Sequence, residues 1–254
     1  MNVLIVHAHP EAASFTTAMR DAAADTLSAE GHNVLISDLY EMKFNPVASA
    51  NDFHGRANEE YLVYALEQRH ADANNLLAPD IKTELDKVMW ADLIIFNFPV
   101  YWFSMPAIMK GWIDRVFVSG RCYGGMRFYD RGGLKGKKAL ISLTLGGQPH
   151  MFDPGGVHGP LTEMLSHLLR GTLGYLGLHV LPPFVGWNVP YISQDARAEL
   201  LNRYRLYLKS LDDQKPMVFP SLDDFDELLC PKADRAGRER GTEAPELGGR
   251  SKAD

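Results

Sequence analysis

Four short apolar runs, separated by longer stretches of helical periodicity, constrain this chain more than anything else in it. Val3 to His7, Asn33 to Ser37, Asp92 to Phe98 and Lys138 to Thr144 are each five to seven residues long. That is strand length, far below the ~18 apolar residues of a membrane-spanning helix. Ser14 to Glu30, Pro79 to Trp90 and Pro106 to Val118 carry apolar residues at helical spacing between them. Strand, helix, strand in that order predicts parallel strands joined by right-handed crossovers. Asp92 to Phe98 (DLIIFNF) is the most apolar run and reads as a central strand covered on both faces, with Pro99 ending it. A fifth strand over Leu178 to Val185, one helix over Pro160 to Leu176 and a last helix over Asp195 to Leu211 complete the pattern. The expected fold is an α/β open sandwich with a five-stranded parallel sheet flanked by helices.

Two stretches stand apart from the alternation. Residues 39–78 read as an inserted segment, broken at Asn45-Pro46 and holding an amphipathic helix over Asn58 to Ala73. Residues 231–254 have six basic and five acidic residues, one Leu and no aromatic residue, which predicts a disordered polar tail after a single domain spanning 1–230.

Composition removes several classes of function. Lys plus Arg minus Asp plus Glu is 26 − 32 = −6, and no basic stripe is evident, so nucleic-acid backbone binding is disfavoured. Cys122 and Cys230 form no CxxC pair and no disulfide framework, which fits a reduced compartment such as the cytoplasm. The N-terminus has no basic region and is interrupted by His7 and His9-Pro10, so it reads as a strand rather than a signal peptide. His7 and His9 have no third partner at metal-ligand spacing, so no metal is expected.

In an open parallel sheet, ligands bind beyond the carboxyl ends of the strands. The loops after the first, third and fourth strands are therefore the ones to inspect. They carry neither GxGxxG nor GxxxxGK[ST], which removes support for a dinucleotide fold or a phosphate-binding loop of those types. His9 to Thr16 offers hydroxyls and the amide end of a helix capped by Ser14, a site for an anion such as a pyrophosphate. Tyr101, Trp102 and Phe103 are consecutive aromatics between Pro99 and Pro106 and cannot all face a core; a planar ring system could stack there. Thr144-Leu145-Gly146-Gly147 lets backbone approach a flat ligand, and His158 closes the same loop.

Several separated blocks now carry a resemblance: VLIVHAHPEAASF (3–15), SDLYEMKFNP (37–46), ADLIIFNFPVYWFSMPAIMKGWIDRVF (91–117), LTLGG (143–147), GVHG (156–159) and SQDAR (193–197). Over about residues 2–220 the sequence resembles the NAD(P)H:quinone oxidoreductases, flavodoxin-like flavoproteins that include FAD-dependent two-electron quinone reductases. The resemblance implies a homodimer with active sites at the interface, noncovalent FAD, and NAD(P)H as co-substrate. By similarity, His9, Ser14, Phe15, Thr16 and Arg197 would hold the pyrophosphate and adenine half. Pro99, Val100, Trp102 and Phe103 would line the flavin ring, and Thr144, Leu145, Gly146 and Gly147 its polar edge.

Substrate positions fall by similarity on Trp102, Phe103, Tyr123, Phe128, Met151, Phe152, Tyr175 and Tyr191, with Tyr123 and Phe128 reaching the partner subunit's site. His158 would be the catalytic donor near the reducible end of the flavin. Two positions depart from the family pattern, since its histidine-paired tyrosine falls on Phe152 and a second loop tyrosine on Gly125. The implied reaction is a two-electron ping-pong exchange: hydride passes from NAD(P)H to FAD, and a quinone or other flat aromatic acceptor then takes it. An FMN-dependent azo- or nitroreductase would share the fold, and a flavodoxin-type electron carrier is the alternative of a different class. No phosphate-reading Arg can be assigned, so the choice between NADH and NADPH stays open.

Overall fold

A computed structural model describes residues 1–232. Its regular elements are β1 (Asn2–His7), α1 (Phe15–Ala29), β2 (Asn33–Asp38), α2 (Tyr64–Asn74), α3 (Pro79–Trp90), β3 (Leu93–Pro99) and α4 (Ala107–Val116). These are followed by β4 (Lys138–Thr144), the short turns α5 (Leu161–Met164) and α6 (Ser166–Leu168), β5 (His179–Val180), β6 (Phe184–Gly186) and α7 (Gln194–Lys209). Every strand pairing is parallel, in the order β2-β1-β3-β4, with β5 and β6 both on the far side of β4. This doubly wound order reverses direction between β1 and β3, and the chain feeds its loops there to one edge of the sheet.

Each face of the sheet has its own core. Leu4, Val6, Ile94, Phe96 and Ile141 pack with α3, α4 and the inserted segment, which contributes Phe44, Phe53 and Leu77. Val3, Ile5, Leu93, Ile95 and Leu140 pack with Met19 and Leu27 of α1 and Leu200 and Tyr204 of α7. All seven residues of β3 are buried, as a strand covered on both faces requires.

Three expectations need correction. The fifth strand is two short ones, because Pro182 and Pro183 supply no amide to the ladder between them. Both halves occupy the fifth position of the sheet. Residues 160–176 do not form one regular helix: α5 and α6 lead into a π-helical stretch from Leu169 to Gly174. There Tyr175 N donates to Arg170 O and Thr172 Oγ1 to His167 O, both five residues back. A Cβ on Gly174 would lie 2.9 Å from the Phe219 ring, so tertiary packing fixes this backbone. Finally, α2 starts at Tyr64 rather than Asn58, since Asn58 Oδ1 accepts from the amides of Glu60 and Tyr61 and holds a turn instead.

Met1–Phe219 form one compact unit, and a second begins at Pro220. Within the latter, Ser221 caps a short turn over Leu222–Asp224. The expected tail lies outside the described residues beyond Lys232. No described helix is long and apolar enough to cross a membrane.

Candidate active site

The loops after β1, β3 and β4 converge on a cavity of about 260 Å³. His9 and Ser14 to Thr16 form one wall, Pro99 to Tyr101 a second, Thr144 to Gly146 a third, and Val189 and Pro190 close it beside α7. Nine of the predicted cofactor residues therefore share one cavity: His9, Ser14, Phe15, Thr16, Pro99, Val100, Thr144, Leu145 and Gly146. Tyr101, one of the three consecutive aromatics singled out in the sequence though not assigned to the cofactor, joins them, and Val189 and Pro190 are unanticipated. Val189 and Pro190 follow β6, so the rule that directed attention to the other three loops applies to this one too.

The amide end of α1 is built as its sequence requires. Ser14 Oγ accepts from Thr17 N at 3.0 Å, and Ser14 O accepts from Ala18 N. A helix leaves its first four amides without intrahelical partners, and the Ser14 cap takes only that of Thr17, so those of Phe15 and Thr16, residues that line the cavity, stay uncapped. The Glu11 carboxylate is occupied locally by Ala13 N at 2.9 Å. His9 Nδ1 accepts from Glu11 N, and burial lowers the His9 pKa against the opposing pull of Glu11. Arg197, at the first turn of α7, donates through Nη2 to Val189 O at 3.1 Å, while its Nε is buried with no partner among the described residues.

Beneath this cradle the sheet interior is polar. His7 is fully buried, and its pKa is lowered to about 4, principally by loss of solvent. Asp38 at the end of β2 opposes that shift, Arg20 of α1 and His9 reinforce it, and Asp21 opposes it more weakly. His7 is neutral at pH 7.

The loop after β3 is pinned mainly by backbone: Val100 N donates to Thr144 O, and Tyr101 and Ser104 exchange two hydrogen bonds, while one side-chain bond joins Ser104 Oγ to His167 Nε2 at 2.9 Å. Trp102 and Phe103 both take left-handed conformations, with φ of 49° and 59°. For residues with a Cβ this costs ~1–2 kcal/mol each, and such strain concentrates at functional sites. Trp102 is 94% exposed. Phe103 instead packs on His158, ring centroids 5.3 Å apart, and Phe152 also packs on the imidazole at 4.9 Å. Trp187, which sequence reasoning missed, backs Phe152 at 5.4 Å. Met151 O accepts from His158 N at 2.9 Å, which fixes the turn carrying the imidazole. A Cβ on Gly147 would lie 2.6 Å from the Phe152 ring, so the glycine is needed where these groups meet. Tyr191 is largely exposed, its ring 3.8 Å from a Cβ position on Gly146.

Tyr123, Phe128 and Tyr175 form a separate aromatic cluster. Phe128 stacks on Tyr175 with centroids 5.4 Å apart and planes 7° from parallel, and Tyr123 tilts against the same ring. Tyr123 and Tyr175 line a second cavity of about 210 Å³, which shares no residue with the first. No group of three or more His, Cys, Asp or Glu among the described residues is arranged to hold a metal ion. Cys122 is buried, which pushes its thiol pKa up to about 12 and leaves it unreactive at neutral pH.

Residues 1–208 match the model of the flavodoxin-like fold family. The chain is 40% identical over 224 residues to the NAD(P)H dehydrogenase (quinone) 1 of Cavia porcellus, covering 88% of this chain and 82% of that one. It is 42% identical over 216 residues to the ribosyldihydronicotinamide dehydrogenase (quinone) of Mus musculus, covering 85% and 94%. A Klebsiella pneumoniae structure assigned as a quinone reductase superimposes with a TM-score of 0.88 at 33% identity, over 95% of this chain and 98% of that one.

Proposed function

The chain belongs to the flavodoxin-like NAD(P)H:quinone oxidoreductases, and from that premise we propose how its own residues serve the family's reaction. The protein is a flavin-dependent oxidoreductase acting on quinones. When bound, the flavin supplies the redox chemistry, taking a hydride from NAD(P)H and yielding it to the quinone.

The residues present fit such a group. The unused amides of Phe15 and Thr16 and the partially positive end of α1 suit a pyrophosphate. Val100 and Leu145 offer flat apolar walls, and Gly146 keeps backbone accessible along one edge. Arg197 reaches the α7 side of the cradle through Val189 O, and by the family resemblance it would serve the adenine half that FAD has and FMN lacks.

His158 is the candidate proton donor. Its exposed imidazole packs against Phe103 and Phe152 and makes no hydrogen bond to the described residues, so both ring nitrogens are open to a substrate or flavin edge. Phe152 has no hydroxyl to relay a proton, which leaves that task to His158. A donor at this edge stabilises negative charge as it develops.

Trp102, Phe103, Met151 and Tyr191 would bound the acceptor slot on one subunit. Tyr123 and Tyr175, which line a different cavity, and Phe128 stacked on Tyr175 would complete the slot of the partner in a homodimer. The reading includes a cytoplasmic location, which the reduced Cys122 and Cys230 suit.

The observation that carries this proposal is the convergence of three predicted loops on one cavity beside an uncommitted helix N-terminus. Purified protein should carry extractable FAD or bind added FAD at least as tightly as FMN. His158→Ala should keep the flavin and slow its reduction by NAD(P)H by about 10²-fold or more, read by stopped-flow absorbance. Unchanged reduction would remove His158 from the mechanism, and exclusive FMN binding would overturn the FAD assignment.

A further inference from the structure

A buried polar row crosses the sheet under the cradle. His7 of β1 is in register with Asn97 of β3, and Asn97 with Ser142 of β4; all three are fully buried. Buried polar atoms are ordinarily bonded, and in this row the His7 ring and Asn97 Nδ2 are, whereas Asn97 Oδ1 and Ser142 Oγ have no partner among the described residues. Asn97 Nδ2 lies 2.8 Å from His7 Nδ1 and 2.8 Å from Thr16 O. Both of its protons are thereby used, and the reversed amide would set Oδ1 against the Thr16 carbonyl. Asn97 therefore fixes the tautomer of His7, with Nδ1 accepting and the proton on Nε2.

That Nε2–H points to Thr17 Oγ1 at 3.3 Å, and Thr17 Oγ1 donates to Glu11 O at 3.1 Å. With its own proton spent, Thr17 Oγ1 accepts from the Ser14 hydroxyl at 2.9 Å, so Ser14 stays in its capping position. On the other branch, Thr16 Oγ1 bonds Thr144 Oγ1 at 2.8 Å. The network thus ties the first turn of α1 to the end of β4, two of the walls that line the cavity.

We infer that His7 and Asn97 are positioning residues for the cofactor, holding the amide end of α1 and, through Thr16, its contact with Thr144 in the arrangement that would receive the flavin. They touch neither flavin nor substrate and act through Thr16, Thr17 and Thr144. The inference rests on the flavin reading of the cradle.

The test compares flavin dissociation constants, by fluorescence titration with FAD and FMN, with melting temperatures of the same flavin-free full-length chains. Wild-type protein comes first, and if it binds neither flavin, the flavin reading fails and takes this inference with it. Given wild-type binding, His7→Leu should weaken the flavin by about tenfold or more, the equivalent of one lost buried hydrogen bond. His7→Gln, which can accept from Asn97 and donate to Thr17, should recover affinity to within about threefold of wild type.

The double variant His7→Leu/Asn97→Leu separates positioning from stability. Replacing both partners by apolar groups should bring the melting temperature back toward wild type, while flavin affinity stays about tenfold or more reduced. Wild-type flavin affinity in His7→Leu, or in the double variant where the single one does not fold, would overturn the inference. So would a Gln variant as defective as Leu.

Discussion

The aromatic loop after β3 and the aromatic cluster around Tyr175 are held in place by different means. The first is built from backbone hydrogen bonds to Thr144 and across Tyr101 and Ser104, and it holds Trp102 outward at positive φ. The second depends on side chains of α2, an element of the inserted segment. Gln68 Nε2 donates to Asp114 O, and its Oε1 accepts from Ser119 N; Arg69 reaches Ser119 Oγ, and Asp72 pairs with Arg121. Gly120 and Gly124, both at positive φ, pack against Arg69. The cofactor wall is therefore set by strand ends, whereas the 119–128 loop leans on side chains of the inserted segment, which also helps cover one face of the sheet.

The inserted segment is in turn locked by one buried ion cluster. Arg115 of α4 makes a bidentate pair with Asp52 and also reaches Asp80 and Asn45 O, while Tyr64 donates to Asp52. Burial pushes the Asp52 carboxyl up, but the bonds from Arg115, Tyr64 and Ser49 outweigh it and hold the pKa below the usual range. Breaking this pair should give the largest effect. Arg115→Met leaves Asp52 charged and buried and should cost about 3–5 kcal/mol in urea unfolding. The 119–128 loop should become protease-sensitive before the sheet does, and loss of the cradle first would reverse the proposed dependence.

A smaller perturbation addresses the strand-end side. Gly147→Ala drives a Cβ into the Phe152 ring and should cost about 1–3 kcal/mol. Because Phe152 supports His158, flavin reduction should slow more than flavin binding weakens. The smallest effect belongs to the α2 strut. Arg69→Ala should change stability by about 1 kcal/mol or less and raise the KM for quinone while flavin affinity stays at the wild-type value. An unchanged KM would show that the 119–128 loop does not need α2.

The sheet and the three principal site loops were legible because their signals are local. Alternating apolar runs located β1 to β4, and Ser14 announced the α1 cap. Where packing between distant residues decides, sequence reasoning failed. The π-helical turns after Leu168 depend on Phe219 meeting Gly174; the late start of α2 is instead a local competition, the Asn58 side chain holding a turn with the amides of Glu60 and Tyr61. The split at Pro182 and Pro183 was visible in the sequence, and its missing amides carry a lesson about reading strand interiors. Trp187 escaped notice because its role arises only through Phe152. The buried row is a third case: His7 and Asn97 gain their meaning from strand register, which no single run of sequence contains.

The central claim is that this cradle serves a two-step transfer between NAD(P)H and a quinone. Initial rates of the flavin-loaded protein, with NADH or NADPH and a small quinone varied against each other, test it most directly. Parallel lines in the double-reciprocal plot, with coenzyme oxidation that requires quinone, are the predicted result. Intersecting lines, or no quinone-dependent oxidation of either coenzyme, would contradict it.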